Sequence, residues 1–236
     1  MKLYSASNKA SPIEFEYQHW LLGWGIVWSG LILFSPEGPK AISTAYRLNF
    51  WHGVMSSTTA ILCVAGLIPD SLTVPCSLAY FGVDMLCMLM NDFYFKVESY
   101  HKPFDRKAEY FHHLLCIVVC VTSRLYSQTY CHGISEDPVV RIMLAEISTP
   151  FLITFRRTKS KVAGGLFVLS FILTRTVYQC LFLMPGLFVA CEPVAIRYGM
   201  VVPYILLQLY FTFRVVVTAS RGDKGSKNLQ SKQREE

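Results

Sequence analysis

Residues 72–93 read LTVPCSLAYFGVDMLCMLMNDF, an apolar run broken near its middle by one carboxylate, Asp84. A bilayer core of about 30 Å is crossed by roughly 20 mainly apolar residues in a helix, and this stretch has that length. Six further stretches of the same character flank it, at about 19–34, 48–68, 108–126, 139–155, 164–184 and 198–218. The expectation is an all-α polytopic transmembrane helical bundle of about seven spans. Composition agrees with it. Of the 236 residues 53% are hydrophobic and 16% are charged, where a soluble domain carries about 25% charged residues, and the mean hydropathy is +0.36. These values argue against a soluble enzyme.

Alternate connectors of a seven-span chain lie on opposite sides, so the Lys and Arg bias reads the orientation directly. One side holds fifteen: Lys40, Arg47, Lys96, Lys102, Arg106, Lys107, Arg156, Arg157, Lys159, Lys161, Arg221, Lys224, Lys227, Lys232 and Arg234. The other holds three, Lys2, Lys9 and Arg197. This places the N-terminus in a lumen or outside and the C-terminus in the cytosol. Because the basic residues are scattered through connectors and a tail rather than along one face, the net charge of +6 reports topology and not nucleic acid.

The eight cysteines divide accordingly. Cys63, Cys87, Cys116, Cys120 and Cys180 lie inside apolar runs and read as packing residues, whereas Cys131 and Cys191 fall on the lumenal side, with Cys76 near it, and a disulfide between Cys131 and Cys191 is permitted there. Residues 1–44 read as an N-terminal segment with the first span, 45–218 as a six-helix domain, and 219–236 as a disordered basic tail. The closing residues, with Lys232 and Arg234, are similar to dibasic retrieval signals of the endoplasmic reticulum; a solvated charged tail is the stronger reading.

Ionisable groups are costly in hydrocarbon, so each one in a span faces a partner or a cavity. Here they are His52 on the second span, Asp84 on the third, His112 and His113 on the fourth, Glu146 on the fifth and Arg175 on the sixth. Spacings of three, four or seven give them polar company on one helical face. His52 continues to Ser56, Thr59 and Cys63, Asp84 to Asn91, Glu146 to Thr149, Arg175 to Gln179, and the histidine pair to Cys116 and Cys120. The expected site is a polar interior open towards the cytosolic leaflet, with the histidines one to two turns deep and Asp84, Glu146 and Arg175 near mid-membrane. A histidine there can act as a general base and Asp84 can orient it. Adjacent histidines point about 100 degrees apart on a helix, so one of the pair faces the catalytic or binding centre and the other packs or lines a wall. Buried pairs such as Glu146 with Arg175, or Asp84 with a histidine, serving packing alone are the competing reading of any one residue. Glu109 with His112 and Glu16 with His19 form Glu-x-x-His pairs, yet on opposite sides of the membrane, so no bound metal is expected.

Five segments in order on successive spans carry a family likeness: NFWHGVMSSTTAIL (49–62), YFGVDMLCML (80–89), EYFHHLLCIV (109–118), EISTPF (146–151) and FILTR (171–175). Over roughly residues 45–215 the chain resembles the TLC domain. That resemblance implies a multipass protein, mostly of the endoplasmic reticulum, in a family that includes ceramide synthases, lipid-regulating proteins and a cargo receptor. His112 and His113 match the histidine pair of the ceramide synthases and Asp84 the acidic residue of the third-span motif. The chain departs from those enzymes after the pair, where it has Arg124 and CHGISEDP (131–138) before EISTPF, and so looks more like the smaller TLC-domain proteins.

Three functions follow as expectations. The first is a protein that binds or transfers acyl lipids and adjusts membrane lipid composition, with His52, Asn91, Glu146, Thr149, Arg175 and Gln179 lining the polar interior. The second is an N-acyltransferase that uses His112, His113 and Asp84, takes acyl-CoA as co-substrate and a sphingoid base as acceptor, and needs no other cofactor. Its acyl-CoA phosphates would meet Lys96, Lys102, Arg106 and Lys107 or the 156–161 cluster. The third is a trafficking or cargo adaptor without catalysis. A homo-oligomer remains open. A G-protein-coupled receptor is disfavoured, since no acidic-Arg-aromatic triplet ends the third span and no Asn-Pro-x-x-Tyr occurs in the last.

Overall fold

A computed structural model describes residues 12–38, 42–96, 103–130, 137–191, 194 and 197–232. Among these residues there is no β-strand, and the helices join into seven rods. They are α1 (Pro12–Leu33), α2 (Ile42–Val64), α3 (Asp70–Tyr94), α4 (Pro103–Tyr130), α5 (Pro138–Thr158), α6 (Lys161–Ala190) and α7 (197–232). Four of them, α3, α5, α6 and the 197–218 part of α7, are long and apolar enough to cross a membrane. The polar residues singled out above explain why α2 and α4 fall short of that measure. α2 carries His52, Ser56, Ser57, Thr58 and Thr59, and α4 carries Arg106, Lys107, Glu109, His112 and His113.

Local chemistry sets the ends. α2 stops in a Schellman turn, with Gly66 at φ +72°, its N–H on the Cys63 carbonyl and the Leu67 N–H on that of Leu62. α5 starts where the Asp137 carboxylate accepts from the Val139 N–H at 2.9 Å and from Ser123 Oγ at 2.6 Å, with Pro138 in the first turn. The Ser160 hydroxyl caps α6 by accepting from the Ala163 N–H.

Three rods depart from α geometry just before a proline. Pro150, Pro185 and Pro203 have no N–H for the carbonyls of Glu146, Leu181 and Gly199. The turns ahead of them are a tight 3₁₀ turn at Leu144–Ser148, a wide π stretch at Ile172–Leu183 and a π turn at Arg197–Val201. At the first, the Thr149 N–H takes the Glu146 carbonyl that Pro150 leaves open.

The chain divides after Cys120 into two compact units. In the first, α1 and α2 pack on α3. Trp28 is fully buried; its indole N–H donates to the Cys76 carbonyl at 2.9 Å, and Trp24 donates likewise to Leu72 at 3.2 Å. Those two indoles explain why α1 belongs with α2 and α3, although the sequence reading sets 1–44 apart from a 45–218 domain. In the second unit α5 packs on α6 and α6 on α7, around Val140, Ile153, Phe171, Met184 and Leu207.

The last helix continues to Lys232, past the point near 218 where the sequence reading begins a disordered tail. No proline follows Pro203, so every later residue keeps the backbone N–H that a helix uses. Large apolar side chains point outward from the rods, among them Leu22, Ile26, Leu86, Leu181, Phe182 and Leu206. Only 28% of the apolar window of α6, and of α7, is buried, which is how a helix meets hydrocarbon rather than water.

Cys191 is disulfide-bonded, while Cys63, Cys76, Cys87, Cys116, Cys120 and Cys180 are in no disulfide. Cys131, the partner that the sequence reading permits, lies outside the described residues.

Two outcomes are expected. Trp28→Ala lowers unfolding stability by about 3–5 kcal/mol in a detergent melt, against less than about 1 kcal/mol for the part-exposed Trp20→Ala. The intact protein also shifts in gel mobility on adding reductant, and Cys191→Ser removes that shift.

Candidate functional site

In the first unit the polar residues of α2, α3 and α4 are wired together. Asp84 is fully buried, and its Oδ2 lies 2.8 Å from His113 Nε2. His113 Nδ1 donates to the Glu109 carbonyl one turn earlier at 2.9 Å. Both ring nitrogens of His113 therefore face oxygen. Since a carbonyl can only accept, Nδ1 carries a proton, and the Nε2 contact with Asp84 shares a second.

The Tyr80 hydroxyl donates to Asn49 Oδ1 at 2.9 Å and also lies 3.3 Å from Asp84 Oδ2. His52 stacks flat on Tyr80, with 3.5 Å between ring centres, and its Nε2 meets Ser77 Oγ at 3.2 Å. Ser77 in turn bonds Ser56 Oγ at 2.6 Å. A chain of contacts thus runs from Ser56 through Ser77 to His52 by hydrogen bonds, across the ring stack to Tyr80, and on through Asp84 to His113.

Phe81 places a wall across this chain, edge-on to both His112 and His113 at 5.7 and 5.4 Å. His112 differs from its neighbour. It is only half-buried, and its ring lies 3.6 Å from the Cys116 sulfur on the next turn. His113 thus turns to Asp84, and His112 lies against Cys116. Asn91, in the π turn that ends α3, is buried and donates to the Cys87 carbonyl. Next to it Asp92 is ion-paired with Arg106 and accepts from the Tyr110 hydroxyl at 2.7 Å. The Arg106 charge is thus already engaged, while Lys96 and Lys107 are exposed and Lys102 lies outside the described residues.

The second unit holds its own cluster. Arg175 Nη2 donates to Glu146 Oε1 at 3.0 Å, and Thr149 Oγ1 to Glu146 Oε2 at 2.6 Å. Arg175 Nε reaches Ser148 Oγ at 3.3 Å and Nη1 reaches Gln208 Oε1 at 3.5 Å, with the guanidinium over the Phe171 ring. Gln179 is fully buried, donating to the Ile142 carbonyl and accepting from the Tyr204 hydroxyl, both at 2.6 Å.

Each candidate from the sequence therefore has a place: His52, Asp84, Asn91, His112 and His113 in the first unit, Glu146, Thr149, Arg175 and Gln179 in the second. Sequence reasoning missed Asn49, Ser77, Tyr80, Ser148, Tyr204 and Gln208. Tyr80 and Ser77 precede Asp84 by four and seven residues, the same-face spacing already applied to Asn91. Tyr204 and Gln208 stand four apart on α7, a helix for which the sequence reading names no polar stripe. No family model, curated protein or solved structure matches this chain.

The Glu146–Arg175 pair generates a double-mutant test. Removing one buried partner leaves an uncompensated charge that costs about 3–5 kcal/mol, so Glu146→Met and Arg175→Met each destabilise strongly. The double variant recovers most of that loss in a detergent unfolding titration.

Proposed function

We propose that this chain is a seven-span, TLC-like membrane protein of the endoplasmic reticulum, with its N-terminus in the lumen. In this reading it binds acyl lipids in a polar intramembrane site that opens to the cytosolic side, and it thereby adjusts membrane lipid composition. The observation that carries the reading is the buried Asp84–His113 bond beside the half-buried His112. A carboxylate placed in hydrocarbon is costly unless it is used or paired. Here it is paired to a side chain whose neighbour on the helix reaches a less enclosed position. The Lys and Arg bias supports the orientation, and so does the disulfide at Cys191, which belongs in an oxidising compartment.

The same pair favours a specific chemistry, N-acyl transfer from acyl-CoA to a sphingoid base. In that reaction the amine nitrogen attacks the thioester carbonyl, the amine proton passes to a base, and the thiolate leaves and is protonated as the free thiol. His113 has both nitrogens committed to Glu109 and Asp84, so it suits a fixed, charge-stabilising role, and His112 is the base. Lys96 and Lys107, exposed at the same end as the Asp92–Arg106 pair, are the cations that would meet the phosphates of the acyl donor.

The test uses the full-length protein in nanodiscs with labelled acyl-CoA and a sphingoid base. A labelled amide product is expected, falling about a hundredfold or more in His112→Ala and strongly in Asp84→Asn. Absence of product from the wild type overturns the acyltransferase. Lipid profiles of cells lacking the protein decide the broader reading, which predicts altered phospholipid or sphingolipid acyl composition and is overturned by an unchanged profile.

A further inference from the structure

We propose that the Arg175–Gln208 cluster of the second unit is a binding site for a lipid carbonyl oxygen, an acyl ester or amide group. This rests on the lipid-facing reading above for its medium, but on none of the histidine chemistry. Gln208 is fully buried, and its Nε2 has no acceptor among the described residues. Its orientation is dictated by Arg175. Gln208 Oε1 faces the guanidinium Nη1, and the reversed amide would set two donors against each other.

A buried amide N–H₂ without a partner is destabilising, because its lost hydration is not replaced. In hydrocarbon no solvent is at hand to make up the loss.

The hydrogen-bond inventory names the ligand. Arg175 offers five N–H groups and spends them on Glu146, Ser148 and Gln208 with some to spare, while Gln208 has two amide hydrogens unspent. Both Glu146 oxygens already accept, one from Arg175 and one from Thr149. Unused donors thus belong to two side chains already in contact with each other, and the guanidinium charge already has its carboxylate. A phosphate would have to compete with Glu146 for that charge, and a hydroxyl would bring a further donor. An ester or amide carbonyl only accepts and carries no charge, so it fits. The site stands on the π stretch Ile172–Leu183, the kind of irregularity that recurs where helices bind ligands.

Three phosphocholine lipids that share a head group separate the alternatives: a diacyl ester, its dialkyl ether analogue without carbonyls, and sphingomyelin with an amide carbonyl. The full chain is equilibrated with equimolar pairs of these lipids, and the lipid most firmly retained is identified by native mass spectrometry. The wild type is expected to keep a carbonyl-bearing lipid over the ether by about fivefold, equivalent to about 1 kcal/mol. A preference within the ester–amide pair then names the carbonyl type. Gln208→Leu is expected to bring the carbonyl preference to unity. Equal retention of ester, amide and ether by the wild type overturns the proposal and needs no variant to fold; so does a preference that survives in Gln208→Leu. This test turns on Gln208→Leu and the acyl-transfer assay on His112→Ala, so the two fail independently.

Discussion

A carboxylate cannot stay ionised in hydrocarbon without a partner, and Asp84 is the group on which this constraint bears hardest. It sits fully buried on α3 and is held by His113 from α4, with Tyr80 from its own helix close by. Tyr80 is fixed by Asn49 and by the stacked ring of His52, both from α2. One desolvated charge therefore ties three helices together. Trp28 adds the fourth through the carbonyl of Cys76 and an edge-on contact to Tyr80. The second unit answers the same constraint differently. There the charge on Arg175 is met by Glu146, and the remaining polar groups are uncharged: Ser148, Gln179, Tyr204 and Gln208.

Much of this was legible in the sequence, and the physical reason is the bilayer. Where water is absent, length and hydropathy alone locate helices, so rods appear close to each stretch read as a span. The ionisable residues stood out against apolar surroundings, and pairs such as Glu146 with Arg175 and Asp84 with a histidine followed from charge. What escaped was neutral: of the uncharged partners, only those spaced after an ionisable residue on its own helix, such as Thr149 and Gln179, were named. Tyr80 and Gln208 carry no formal charge, and a reading that searches for charges in lipid passes over them even where helical spacing sets them on the right face.

The irregular turns escaped for another reason. Hydropathy says nothing about hydrogen-bond register, yet Pro150, Pro185 and Pro203 each deprive a carbonyl one turn back of its donor. The helix accommodates by tightening before Pro150 and by widening before the other two. Glu146 and Arg175 both lie in such segments, so the geometry of the second cluster is set by backbone defects as much as by side-chain choice. The last helix runs on to Lys232, where composition reads as disorder; no proline after Pro203 removes a backbone donor.

The central claim is that hydrophilic side chains gathered inside the helices make a place for an acyl lipid. An experimental density map of the full chain in a lipid nanodisc tests it most directly. The account predicts Asp84 bonded to His113, away from the hydrocarbon, with elongated lipid density reaching the ring of His112. Side chains of Asp84 and His113 turned outward to the acyl tails, or a solidly packed interior with no lipid against His112, would contradict it.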